Sequence, residues 1–296
     1  MRRSREADSA SSDCNKITEA SRRSATATLT VLWMVSVCGG NARATTRFVP
    51  TQHSTIQAAI WASAGGDTVA VLPGTYVQNI VIDRAIVLRS TAGPATTIIS
   101  GENPTEPDSA STVTMTAGEI IGFSIRRGGG ALDMVLDQRN GGGVLALGSS
   151  VVRGNWIHDN ILIASRGAGG GVHAGGSSSV IANRVYSNRI TASIYGFGGG
   201  LFSSGSLAEN NEIFGNHIDA GTAGGMYGRA IARHNIIACN TVIDSPLDIY
   251  NASGLLYNGP TVEANTIVGN WGSQDNAGLL IVGRSCPPPV HKHDLC

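Results

Sequence analysis

Six side chains suited to ligand recognition recur at two fixed offsets. Trp156 and His158, Arg184 and Tyr186, and Glu212 and Phe214 each flank the aliphatic residue of an Asn-x-[Ile/Val]-x-x-Asn segment. Aromatic rings beside a guanidinium and a carboxylate suit a sugar, with flat ring faces against its apolar faces and charged groups on its hydroxyls. If the aliphatic residue points inward, strand alternation turns both flanking positions outward. The six then line up on three neighbouring repeats, as a carbohydrate-binding strip or as an ordinary column of stacked side chains. A second group follows each segment's last Asn. Arg189 and His217 hold equivalent positions in the variable loops there, with Asp219 two residues on. An Arg or His that neutralises a uronate carboxylate and takes the C5 proton is what lyase chemistry requires. The alternative is three solvated loop residues.

Metal and disulfide chemistry have less to work with. The tail from Cys286 to Cys296 holds His291 and His293, but the spacing matches no structural zinc site, and Pro287 to Pro289 keep it extended. No metal or other cofactor is implied. Of five cysteines, Cys14 and Cys38 belong to the leader, and the three that remain make no disulfide framework. Cys239, inside a repeat, reads as a small buried hydrophobe, while Cys286 and Cys296 can pair across the tail.

The elements that must position these groups are set by repetition. Glycine followed by an apolar residue recurs at Gly141–Val144, Gly169–Val172, Gly198–Leu201, Gly224–Met226, Gly254–Leu255 and Gly278–Leu279, in steps of 24 to 29 residues. In phase with it stand Asn155/Asn160, Asn183/Asn188, Asn211/Asn216, Asn235/Asn240 and Asn265/Asn270. The apolar pieces between them are too short for helices and read as strands, with Asn and Gly supplying left-handed corners. Several strands and corners returning in phase make one coil of a parallel β-helix. Ile157, Val185, Ile213, Ile237 and Ile267 should stack as one buried column, and the asparagines as two amide ladders. The steps fit neither a hexapeptide helix nor a propeller, and His173-Ala174 after Val172 replaces the Asp of a calcium-binding nonapeptide roll. At the start, Ser54-Thr-Ile-Gln57 reads as a capping box opening a helix over 54–64, with Ile56, Ala59 and Ile60 on one face to close the core.

Composition agrees with a solenoid. The chain has 296 residues, 39 of them Gly, with 42% hydrophobic, 5% aromatic and 14% charged residues and no net charge. That excludes ordinary disorder and leaves no basic footprint for nucleic acid. Arg22-Arg23, the apolar stretch Ala25–Val37 and Ala42-Arg43-Ala44 follow the order of a secretory signal peptide cleaved after Ala44, and nothing beyond it is long and apolar enough to span a membrane. The remainder keeps 14 basic and 17 acidic residues, which makes an acidic polymer a less comfortable partner than a neutral one.

Thr55-Ile56-Gln57-Ala58-Ala59-Ile60, Gly66-Asp67-Thr68-Val69, Pro73-Gly74-Thr75-Tyr76, Asn79-Ile80 and Thr97-Ile98-Ile99 together resemble the start of secreted bacterial right-handed β-helix repeat proteins of the pectin lyase-like superfamily. Ile121-Gly122-Phe123-Ser124-Ile125 before the glycine repeats resembles that group too. The resemblance covers about residues 51 to 283 and implies the fold; for function it implies only a group that mixes polysaccharide lyases, hydrolases and epimerases with members of no established activity. The polygalacturonase-like paired aspartates with Gly-His-Gly and Arg-x-Lys are missing. Tyr195-Gly196-Phe197 begins an epimerase-like motif but continues as Gly198-Gly199. The expectation is therefore an all-β chain: a signal peptide (1–44), a capping-helix segment (45–68), eight or nine coils of single-stranded right-handed parallel β-helix (69–284) and a Pro-rich tail (285–296). Its function would be polysaccharide binding or surface interaction, with a polysaccharide or cell-surface glycan as partner met outside the cell, and a lyase or epimerase of acidic sugars is the alternative.

Overall fold

The computed structural model describes residues 43–101, 110–244, 252–272 and 278–281. Residues 1–42, nearly all of the segment expected as a leader, and the tail with Cys286 and Cys296 lie outside the described residues. Of the two units Met1–Ala44 and Thr45–Cys296, the second carries the elements that follow.

One coil shows the design. Its strands are Val151–Arg153, Trp156–His158, Ile161–Ala168 and Val172–Gly175. Each pairs in parallel with its counterpart one coil on, so that Val152 meets Val180, Ile157 meets Val185, Leu162 meets Ile190 and Val172 meets Leu201. Repetition produces four sheets of nine, eight, eight and seven described strands. This is the right-handed parallel β-helix, the hand that parallel crossovers take. Ala131–Asp133 and Gln138–Asn140 form the one antiparallel pair among the described strands. No described helix is long and apolar enough to cross a membrane.

The coil encloses two cores. Inward residues of three sheets, among them Val152, Ile157 and Val172, merge into the main one. Leu162, Ile190, Ile218 and Val242, from the fourth sheet, form a smaller core of their own. The glycine runs are the wall between them. A Cβ on Gly200 would lie 2.6 Å from Ile213 Cγ2 and 2.7 Å from Asn216 Nδ2, on the main-core side, whereas one on Gly199 would lie 3.0 Å from Ile218 Cγ1 in the second core. No side chain fits on either side. The glycine run is therefore a packing requirement at a wall one backbone thick.

The second asparagine column locks that wall. The backbone N–H and Nδ2 of Asn160 both donate to Asn188 Oδ1, at 3.2 and 2.8 Å. The pattern continues from Asn188 to Asn216, Asn216 to Asn240 and Asn240 to Asn270. Each Nδ2 also donates to a main-chain carbonyl of the preceding coil, as Asn188 does to Ile157 O at 3.0 Å. Asn155, Asn183, Asn211, Asn235 and Asn265 make the same ladder at the first corner. The asparagines are not themselves the left-handed residues of the corners. That conformation falls one position earlier, at Ala182 (φ 54°), Ser187 (φ 53°), His234 (φ 56°) and Cys239 (φ 55°). The amide bonds hold these non-glycine residues where a lone chain would not put them.

The entrance differs in detail from the sequence expectation. The helix is Ile56–Trp61, shorter than 54–64, and its N-cap is Thr55, whose hydroxyl accepts from Ala58 N. Ser54 plays no part in that cap, and Gln57 reaches instead to the strand Ile80–Ile82, donating to Val81 O and accepting from Val81 N. Ile56, Ala59 and Ile60 are fully buried in the main core. A strand, Thr46–Val49, precedes the helix and pairs with Thr68–Val71 as an additional rung.

If the ladder holds the wall, Asn188→Ala should lower stability by about 3 kcal/mol, because it strands the buried Asn160 backbone N–H and removes the side-chain bonds to Asn160 Nδ2 and the Ile157 carbonyl. Gly200→Ala should cost roughly 1–3 kcal/mol through overpacking. Denaturant unfolding followed by circular dichroism measures both, and losses under about 0.5 kcal/mol, the range of ordinary surface changes, would contradict the account.

Candidate functional site

Once Ile157, Val185 and Ile213 point inward, the flanking residues face out, and register aligns them. Trp156, Arg184 and Glu212 form one column; His158, Tyr186 and Phe214 form the other. His158 and Tyr186 are stacked with centroids 4.8 Å apart and planes 8° from parallel, and Tyr186 and Phe214 follow at 5.1 Å and 5°. The Arg184 guanidinium carbon lies 5.7, 5.8 and 5.3 Å from the ring centroids of Trp156, Tyr186 and Phe214. Its Nε donates to Glu212 Oε2 at 3.0 Å. His158 is held from both nitrogens, with Ser124 Oγ 2.7 Å from Nε2 and Asp159 Oδ2 2.7 Å from Nδ1.

Of the two arrangements open to these side chains, the rings take the column of stacked side chains. Inside the stack, ring faces are not offered to a ligand, because planar side chains one coil apart cover each other's faces at the inter-strand spacing. The stack presents ring edges and the Tyr186 hydroxyl. Burial, and the nearby Asp159 carboxylate, push that phenol up from its ordinary value against the pull of Arg184, so it is a neutral donor and acceptor.

Arg189, His217 and Asp219 are brought together, although not in loops. Arg189–Phe197 and His217–Thr222 are paired strands of the fourth sheet, with Arg189 directly beside His217. The segments differ in length, which hides their pairing in the sequence; the surplus is absorbed by a register shift between Ile190 and Gly196. Arg189 Nη2 donates to both oxygens of Asp219, at 2.7 and 2.9 Å, and His217 Nε2 lies 2.8 Å from Asp219 Oδ1. Burial raises the Asp219 carboxyl, but hydrogen bonds from Arg189, Thr191 and His217 and the charge of Arg189 outweigh it and hold the group below the ordinary carboxylate range. The trio is an ion-paired cluster in which the guanidinium is already engaged.

The two groups share one corner. His158, Tyr186 and Phe214 stand three residues before Ile161, Arg189 and His217, with the ladder asparagine turned inward between them. At the ridge the outward positions are Asp159, Ser187 and Gly215, the last two small. Two coils further on, Trp271, 58% exposed, continues the Arg189 and His217 column. Cys239 lies on the same ridge and is exposed, not buried, because the left-handed residue of each corner turns away from the core.

A further aromatic column went unread in the sequence. His173, Phe202 and Tyr227 align on the outer face of the sheet that follows the glycine runs. Phe202 and Tyr227 stack at 5.1 Å, Phe197 from the fourth sheet packs edge-on against Tyr227, and Arg229 Nε donates to the Tyr227 hydroxyl. Aligning the repeats on the glycine runs rather than on the asparagines would have exposed this column. His173 Nδ1 is buried with no partner. Burial pushes this imidazole down to about 4, against the Ala168 backbone and the charge of Asp133. Among the described residues no group of three or more His, Cys, Asp or Glu could hold a metal ion.

No known family model matches the chain, and no curated protein matches its sequence. Two solved structures align with it. One is the pectin methylesterase PemA from Erwinia chrysanthemi, 14% identical, with 73% of this chain and 70% of that one covered and a TM-score of 0.42. The other is a mutant pectin methylesterase in complex with a hexasaccharide, 15% identical, with 74% and 70% covered and a TM-score of 0.35. At these values neither speaks to the activity of this chain.

The buried imidazole has a measurable consequence. Its value is about 4 when folded against 6.5 ordinarily, so the unfolded chain binds the extra proton, and stability should fall as pH drops from about 6.5 towards about 4. Thermal melts across that window should fall less steeply for His173→Phe; parallel curves for the variant and the parent would refute the assignment.

Proposed function

We propose that this protein is a secreted polysaccharide-binding solenoid whose glycan lies along the second-asparagine corner, over the His158, Tyr186 and Phe214 stack and beside Arg189 and His217. The observation that carries this reading is the Arg184 guanidinium, lying over three aromatic rings and paired with Glu212 at the surface. Such an array is held in place before any ligand arrives, which reduces the ordering cost of binding. Its groups recur once per coil, at about 4.8 Å. That is close to the length of a sugar ring, so an extended chain running along the helix axis meets similar contacts on successive coils.

A second reading, elimination or epimerisation at C5 of a uronate, is favoured by the pairing of His217 with Asp219, which would orient the imidazole as a base. It also asks Arg189 to neutralise the substrate carboxylate. Arg189 is bound at both oxygens of Asp219 instead, which is why binding is the preferred reading.

Secretion is the natural setting for such a partner. N-terminal sequencing of protein recovered from the culture medium should begin at Thr45, and an intact leader on it would contradict export by this route. On a glycan array, Tyr186→Ala and Arg184→Ala should each weaken retention at least about tenfold, the loss expected of a central aromatic or Arg contact, with unchanged circular dichroism. Incubation with uronate polymers should generate no ultraviolet-absorbing unsaturated product. Retention untouched by both substitutions would reject the site, and product formation lost in His217→Ala would establish the second reading.

A further inference from the structure

Within the proposed site, charge speaks to the kind of glycan. Arg184 is engaged by Glu212 at 3.0 Å, and Arg189 and His217 converge on Asp219 at 2.7 and 2.8 Å. His158 faces Asp159 at 2.7 Å. Three carboxylates thus stand against two guanidinium groups. A uronate polymer brings a carboxylate on every acidic ring. To be neutralised here it would have to displace Glu212 or Asp219 from its guanidinium and then lie beside the carboxylate it displaced. At Asp219 that means breaking a bidentate pair, the strongest form of this contact.

Further along the same columns the described residues include no cation. The register continues from Glu212 to Ile236 and Thr266, from Phe214 to Ala238 and Val268, and from His217 to Thr241 and Trp271. Ile236, Val268 and Trp271 are exposed at 47%, 57% and 58%. This half of the surface suits the C–H faces of a sugar and offers an anion no cationic side chain in these columns, only the hydroxyls of Thr241 and Thr266.

We infer that the glycan of this corner is neutral, an inference that rests on the polysaccharide reading above. The ion pairs are suited to it. A carboxylate has about four lone-pair directions and a guanidinium five N–H groups, so each keeps spare acceptors or donors after pairing. Arg184, Glu212 and Arg189 are each about half exposed, and the spare groups reach solvent. Paired charges of this kind donate to and accept from hydroxyls without favouring an ionic ligand.

Isothermal titration of the secreted protein with cellohexaose, mannohexaose and galactan, set against polygalacturonate and alginate, tests the inference. At least one neutral glycan should bind, with affinity little changed by salt, and the uronates should bind at least about tenfold more weakly. Glu212→Gln releases Arg184 and should raise affinity for polygalacturonate about tenfold. If the uronates bind more tightly than every neutral probe, and Tyr186→Ala abolishes that binding, the neutral assignment is overturned while the site stands. If neither class binds, the polysaccharide reading falls with it.

Discussion

The structure depends on a backbone wall too thin for side chains and on the amide ladder beside it. The glycine run of each coil passes between two cores, with the Ile213 side chain packed on one face and that of Ile218 on the other. Strands that close have no room for register error. The asparagine column exploits this: from Asn188 onward each Oδ1 accepts two hydrogen bonds from the coil before, and each Nδ2 donates back to it. A slip of one residue would bury unpaired amides and turn the aliphatic column outward together. The ladder therefore specifies register as well as adding stability.

Register is what makes a surface out of isolated side chains. Because strand stacks on strand in register at the asparagine segments, residues far apart in the chain become neighbours along an axis, and like shapes meet. The rings of His158, Tyr186 and Phe214 stack for the same reason that Asn160, Asn188 and Asn216 do. Arg184 spans the rings because its column runs alongside theirs. The ionic trio stands across the ridge, where Arg189 and His217 share a register position and Asp219 lies between their polar ends. Function, on this view, is assembled from columns, and a ligand must be long and periodic to use more than one coil.

Much of this was legible because it repeats. The ten ladder asparagines, the Ile157 column and the buried face of the entrance helix each follow from spacing and alternation. The side on which Trp156 or Tyr186 emerges follows as well. What alternation cannot state is the torsion about the side chain, so it leaves open the choice between exposed ring faces and the stacked column that the structure has. The left-handed positions were misassigned by one residue because Ala, Ser, His and Cys occupy them, held there by neighbours rather than by their own preference. The second core escaped notice because Leu162, Ile190 and Ile218 belong to segments of unequal length, whose pairing is visible only once the register shift is seen. The same inequality hides Arg189 and His217 as paired strand residues, whereas Cys239 is exposed because it takes the left-handed position of its corner.

Two surfaces of the solenoid carry aromatic columns, and the account gives the ligand to only one. The corner is preferred because its rings are tied to charged groups that remain half exposed, whereas Phe202 and Tyr227 are packed beneath Phe197 of the fourth sheet. The most direct test is a crystal structure of the protein grown with a bound neutral oligosaccharide. Sugar rings should align with the helix axis over Tyr186 and Phe214, within hydrogen-bond reach of Arg184 and Glu212. An oligosaccharide seated against Phe202 and Tyr227, with the corner bare, would contradict it.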